Sequence, residues 1–273
     1  MAKWNWRSLV LFEAIVLSIS LLFSIAGSVS RQIVVTVPAR GGLSVGSNTI
    51  LLLLGSFLPG VVLLLVSREC RLATFRLKAG FAVYITAVLI GFVLPFSSYL
   101  GARVSSLPWN SNTLPSLIRV FAINLPLSPL WEEIIWRAYF LPKVNSMMQR
   151  APSIVVASLG WTVWHAGYLF QLHHSGIRAA ILTIFVGQIF LGGIVLCSFF
   201  ALGRNSLLPC VLLHAAFNAS SAAYFGSYNR VNDLGSYIAE TVFTLIVAIF
   251  VFKMALRRAE NAAALIESGG VSP

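Results

Sequence analysis

The chain has 273 residues, 58% of them hydrophobic and only 10% charged. Soluble domains carry about a quarter charged residues, so this composition excludes an ordinary soluble enzyme. It predicts an all-α polytopic transmembrane bundle of about eight helices, one integral-membrane domain over residues 1–273. The net charge of +11 does not imply a nucleic-acid partner. The basic residues are dispersed between apolar runs, as topology determinants and surface anchors are.

Lys3 and Arg7 precede the apolar run Leu9–Val29. A basic start, an apolar stretch and the small residues Ala26-Gly27-Ser28 resemble a signal peptide. At about 20 residues the run fits a spanning helix better, so a retained first helix is expected, with Glu13 near its cytoplasmic end. A polar, Gly-containing loop is expected over Arg31–Ser47, and a second helix over Ile50–Val66. The cluster Arg68, Arg71, Arg76 and Lys78 follows, then a third helix from about Phe81 to Leu100, closed by a Pro- and Asn-rich loop, Leu107–Pro115. The fourth apolar run, Leu117–Leu141, contains Pro126 and Pro129, which should kink or break it. Broken backbone at membrane depth is tolerated where it lines a polar cavity. After a short basic loop, Lys143–Arg150, further helices are expected over about Pro152–Phe170, Ala179–Leu202, Leu207–Phe225 and Tyr237–Lys253. A basic, Ala-rich tail follows, disordered over Ser268–Pro273.

The loop charges set the orientation. With eight spans, Lys3, Arg7, Arg68, Arg71, Arg76, Lys78, Lys143, Arg150, Arg204, Lys253, Arg257 and Arg258 fall on one side. Arg31, Arg40, Arg103, Arg178 and Arg230 fall on the other. The imbalance places both termini in the cytoplasm. The expected home is a bacterial inner membrane. Trp4, Trp6 and Trp109 read as interfacial anchors. Cys70, Cys197 and Cys210 show no metal or redox spacing, and Gly192-Gly193 reads as a close helix contact.

The fourth run carries the chemistry. Trp131-Glu132-Glu133-Ile134-Ile135-Trp136-Arg137 places three charges in six positions, and each costs about 2.5–3.5 kcal/mol at bilayer depth. On an α-helix Glu133 and Arg137 share a face, in the favoured order for an ion pair. Glu132 is turned roughly 100° away from them. The other polar groups within spans are His165, in Trp161-Thr162-Val163-Trp164-His165, and His214 with Asn218, in His214-Ala215-Ala216-Phe217-Asn218. His173 and His174 fall in the following loop. Counted from the nearest basic loop, Glu132 lies at a depth of roughly 16 Å, His165 at roughly 22 Å and His214 at roughly 15 Å. Bundle packing can therefore bring them into one cavity open to the cytoplasm. There a carboxylate can act as general base on water. A histidine can orient that water, and a His/Asn pair can donate to an oxyanion. Together these support peptide-bond hydrolysis. His-Glu-x-x-His is absent, although Glu132, His165 and His214 together could bind zinc.

The order Glu-Glu-x-x-x-Arg, aromatic-x-x-x-His, His-x-x-x-Asn on three hydrophobic helices resembles the CPBP (Abi) family. That family includes type II CAAX prenyl proteases and bacteriocin-processing or self-immunity proteins. The resemblance covers about residues 115–225, the expected catalytic core, with Trp161 where phenylalanine is usual. It implies an eight-helix intramembrane endopeptidase acting near a substrate C-terminus or leader junction. In it Glu132 and His165 activate water, His214 and Asn218 stabilise the oxyanion, and Glu133 and Arg137 support them. The partners it implies are the lipid bilayer and a peptide or membrane-protein substrate, lipidated in some members. The preferred mechanism needs no obligatory cofactor; a divalent metal such as zinc is the alternative. A proton-coupled transporter would call for inverted repeats, which the sequence lacks. A silent immunity or scaffold protein would not need every polar side chain of the three motifs.

Overall fold

The computed structural model describes residues 5–29, 34–37, 43–100, 113–174, 177–225 and 233–267. Helices dominate. α1 (Trp6–Val29) and α2 (Ser47–Val66) are long and apolar, and both stay continuous although α2 contains Pro59. Between them lies a two-stranded antiparallel hairpin, β1 (Val34–Val37) and β2 (Leu43–Gly46), with Val35 opposite Val45. The loop expected over Arg31–Ser47 thus contains strands. The β-branched run Val34-Val35-Thr36-Val37 is the local reason.

The basic cluster after α2 is also more ordered than the sequence suggested. It forms α3 (Arg68–Phe75), N-capped by the Ser67 hydroxyl, which accepts from the Cys70 N–H. Arg71 donates to the carbonyls of Leu64 and Leu65 at the end of α2, where a cation meets otherwise unpaired acceptors. α4 (Phe81–Phe96) continues into a 3₁₀ turn, Ser97–Leu100.

The fourth apolar run divides in two. α5 (Thr113–Asn124) ends before Pro126, and the chain restarts as α6 (Ser128–Glu133) with Pro129 in its first turn. Pro115 lies within α5, not in the preceding loop. α6 runs without interruption into a π-helical stretch, Ile134–Phe140, and then α7 (Leu141–Asn145). In the wider turn the Leu141 N–H bonds the Trp136 carbonyl, five residues back. This stretch is the buried centre of the molecule: Ile134, Ile135, Trp136 and Arg137 are all 0% exposed.

The fifth predicted helix is also interrupted. α8 (Arg150–Trp164) stops at His165, and α9 (Ala166–His174) begins immediately after. His173 and His174 are therefore the end of a helix, correcting the loop expected for them. α10 (Ala179–Leu202) and α11 (Leu208–Phe225) match their predicted bounds closely. α12 (Leu234–Glu267) absorbs most of the tail, because its Ala-rich sequence favours helix. Trp4, Trp109, Arg31, Arg40, Arg103, Arg230 and the tail over Ser268–Pro273 lie outside the described residues.

Small residues set the closest helix contacts. A Cβ on Gly91 of α4 would collide with the Leu213 carbonyl and come within 2.7 Å of the Ala216 Cβ, so α4 and α11 touch backbone to backbone. Gly193 of α10 sits likewise on Ser158 of α8, where an added Cβ would lie 2.9 Å from the Ser158 Cβ. Outside, α1, α2, α4 and α12 expose a belt of large apolar side chains, among them Leu22, Leu65, Val66, Phe81, Leu89 and Ile246. A soluble monomer rarely carries so extensive an apolar surface. Ala179–Leu202 and Leu234–Asn261 are long and apolar enough to cross a membrane, and Phe57–Val66, Phe81–Phe96, Leu114–Asn124 and Leu208–Ala222 are shorter apolar helices. The molecule is an all-α helical bundle of membrane-protein character.

Candidate active site

Two helix irregularities present the polar groups. The first is the restart at Ser128 after Pro126, which begins the helix carrying Glu132 and Glu133. The second is the break at His165, whose backbone (φ −74°, ψ −1°) lies near the bridge region between helix and strand. Its N–H bonds the Thr162 and Val163 carbonyls, closing α8 in a tight final turn.

Glu132 is 5% exposed, and both its oxygens accept hydrogen bonds. The Ser128 hydroxyl, one turn earlier, donates to Oε1 in a short hydrogen bond. The Trp161 indole N–H, from α8, donates to Oε2 at 3.2 Å. The carboxylate is therefore fixed in orientation by two neutral donors and has no direct cation contact in the structure.

Glu133 and Arg137 form a second, fully buried group. Arg137 Nη1 donates to Glu133 Oε1 at 3.3 Å, and Nε lies 3.2 Å from Oε2, an ion contact rather than an aligned hydrogen bond. His214 Nδ1 lies 2.9 Å from Glu133 Oε1. Because a carboxylate can only accept, Nδ1 carries the proton in that bond. Glu133 thus holds Arg137 on its own helix and His214 on α11 together. The ion pair expected between Glu133 and Arg137 is present, but its link to His214 was not foreseen. An (i, i+4) rule shows neighbours on one helix, and this partner comes from 81 residues further along the chain.

His165 points its own Nδ1 at the Trp161 carbonyl, 2.7 Å away. That bond assigns the proton to Nδ1 and leaves Nε2 available. Asn218, one turn beyond His214, is half-buried and has no hydrogen-bond partner among the described residues. His173 is exposed at the end of α9, away from this buried group.

Trp161 connects the whole arrangement. Its ring stacks under the Arg137 guanidinium at 4.6 Å and meets the edges of His165 and His214 at centroid distances of 4.6 and 5.8 Å. One indole therefore touches Glu132, Arg137, His165 and His214. The sequence marked Trp161 only as standing where phenylalanine is usual. Its hydrogen bond to Glu132 was missed, as was Ser128, although a serine four residues before a glutamate on a helix is a readable same-face signal.

Among the described residues, no three His, Cys, Asp or Glu side chains gather around one point at ligating distance. Glu132 is engaged by Ser128 and Trp161, His165 Nδ1 by a carbonyl and His214 Nδ1 by Glu133. These bonds hold each Nδ1 and leave both Nε2 atoms open, as in metal-ligating histidines, so it is the spacing of the groups that leaves them without a common ligating point among the described residues. Cys70, Cys197 and Cys210 are free and buried. Cys210 donates to the Leu196 carbonyl, and Cys197 receives a weak bond from Ser158, so both are packing thiols.

No curated protein matches the chain. Residues 114–220 match the family model described as type II CAAX prenyl endopeptidase Rce1-like. This segment runs from α5 to α11 and contains Glu132, Glu133, Arg137, His165, His214 and Asn218. The match takes in the segment that carries the three motifs and agrees with their resemblance to the CPBP family.

Proposed function

We propose that the protein is an intramembrane endopeptidase in which Glu132 activates water for attack on a peptide bond. The observation that carries this reading is the gathering of Glu132, Arg137, His165 and His214 around the Trp161 indole. Glu132 is the general base, and Ser128 and Trp161 aim its carboxylate. His165, with Nδ1 tied to the Trp161 carbonyl, accepts a hydrogen bond from the same water at Nε2. Attack develops negative charge on the carbonyl oxygen, which calls for preorganised donors. His214, as an imidazolium held by Glu133, donates from Nε2, and the free Asn218 amide donates beside it. Arg137 neutralises Glu133 and keeps that carboxylate from competing for the water. Proton transfer from Glu132 to the leaving amine then completes hydrolysis.

No step is routed through a metal. The substrate is a peptide or the tail of a membrane protein, cut near its C-terminus or at a leader junction. Eight spans with both termini on the basic, cytoplasmic side would open the cavity toward that tail. The test is a comparison of membrane-protein termini in cells expressing wild type or Glu132→Ala at equal levels. New termini dependent on Glu132 support the reading. Identical termini in both would remove Glu132 from the reaction.

A further inference from the structure

At the basic end of the bundle, apart from the Glu132 cluster, lies a cavity of about 890 Å³. Glu69 of α3, Arg76 just past its end and Lys143 of α7 supply its charged wall, and Leu72, Ala138 and Phe200 its apolar wall. Lys143 is paired with Glu69. Arg76 is half-buried and spends one N–H on the Arg204 carbonyl at 3.3 Å. Its other guanidinium donors have no partner among the described residues. Two cations and one carboxylate leave the wall with one net positive charge.

α3 shows at what level this cavity sits. It is a short helix between two apolar ones, and Leu72, Phe75 and the following Leu77 are 52%, 74% and 71% exposed. Arg68, Arg71, Arg76 and Lys78 flank them. Exposed apolar side chains among basic ones mark a helix lying at the membrane surface. Leu72 belongs both to that surface and to the cavity wall, so the cavity opens at headgroup depth. Basic pockets between helices at this level suit anionic lipid headgroups.

We propose that this cavity binds one anionic phospholipid, with its phosphodiester at Arg76 and Lys143 and its upper acyl chain along Leu72 and Phe200. A single net positive charge complements a monoanionic phosphodiester and gives no preference for a zwitterionic headgroup. Glu69 positions Lys143 and also weakens anion binding, which gives the site a two-signed test. A peptide carboxylate would offer the same charge, but its amides would lie unpaired against Leu72 and Phe200.

The experiment titrates the purified full chain, in uncharged detergent, with short-chain phosphatidylglycerol or phosphatidylcholine and follows thermal unfolding. Phosphatidylglycerol should raise the midpoint by about 5 °C near saturation, and phosphatidylcholine should not. Arg76→Gln should weaken the half-saturating concentration about fivefold. Glu69→Gln should strengthen it by a similar factor, a gain that damage to the fold cannot produce. Arg257→Gln, remote on α12, should behave as wild type. Equal shifts with both lipids would overturn the proposal, as would wild-type titrations for both Arg76→Gln and Glu69→Gln. So would stabilisation by glycerol phosphate or a peptide carboxylate that matches or exceeds that by phosphatidylglycerol. Should Arg76→Gln fold poorly, the gain or its absence in Glu69→Gln decides the question.

Discussion

Arg137→Ala tests how the buried centre is held together. Arg137 and Glu133 are both 0% exposed, and the guanidinium also lies 4.6 Å over Trp161. Removing it leaves the Glu133 carboxylate with His214 as its remaining partner. Breaking one side of a buried ion pair costs about 3–5 kcal/mol, and the lost stacking adds roughly 0.5–2 kcal/mol. A net loss of about 4 kcal/mol corresponds to a thermal midpoint lower by about 10 °C. Thermal unfolding of purified protein in detergent reads this directly. The double variant Glu133→Gln/Arg137→Met, which removes both charges, should recover at least half of the loss, since no uncompensated charge remains. A midpoint for Arg137→Ala within about 2 °C of wild type, well inside the expected shift, would refute the reasoning. So would a double variant as unstable as the sum of its two single variants.

Trp161→Phe keeps the aromatic wall but deletes the donor to Glu132, so kcat should fall about tenfold with KM unchanged. Steady-state kinetics check this, and unchanged kcat would make the indole N–H irrelevant. Gly91→Ala forces a Cβ into the Leu213 carbonyl and the Ala216 Cβ. It should destabilise the α4–α11 contact by about 1–3 kcal/mol, measured by thermal unfolding; full stability would show that the two helices are not in backbone contact. Dialysis against a strong chelator should leave kcat/KM intact. Loss of activity that zinc restores would contradict the proposed base mechanism.

Helix positions were legible because apolar runs and their bounding charges are strong signals. α10 and α11 follow them almost residue for residue. Breaks were less legible. Pro126 announced the interruption before Ser128, but no proline marks the end of α8 at His165, and Pro142 follows the π-helical stretch around Arg137 rather than interrupting it. Both depend on packing against other helices. The hairpin Val34–Gly46 and the surface helix Arg68–Phe75 were masked by their glycine and arginine content. In the candidate site, spacing alone revealed Glu133 with Arg137. The reach of His214 to Glu133 and of Trp161 to Glu132 depends on how α6, α8 and α11 meet, which no local pattern encodes.

The most direct test of the general-base assignment is single-turnover cleavage of an identified substrate in proteoliposomes by wild type and Glu132→Gln. The amide preserves the volume of Glu132 but cannot accept the proton of water. Cleavage should fall to background while the thermal midpoint stays close to wild type. Turnover by Glu132→Gln at a rate comparable to wild type would contradict the account.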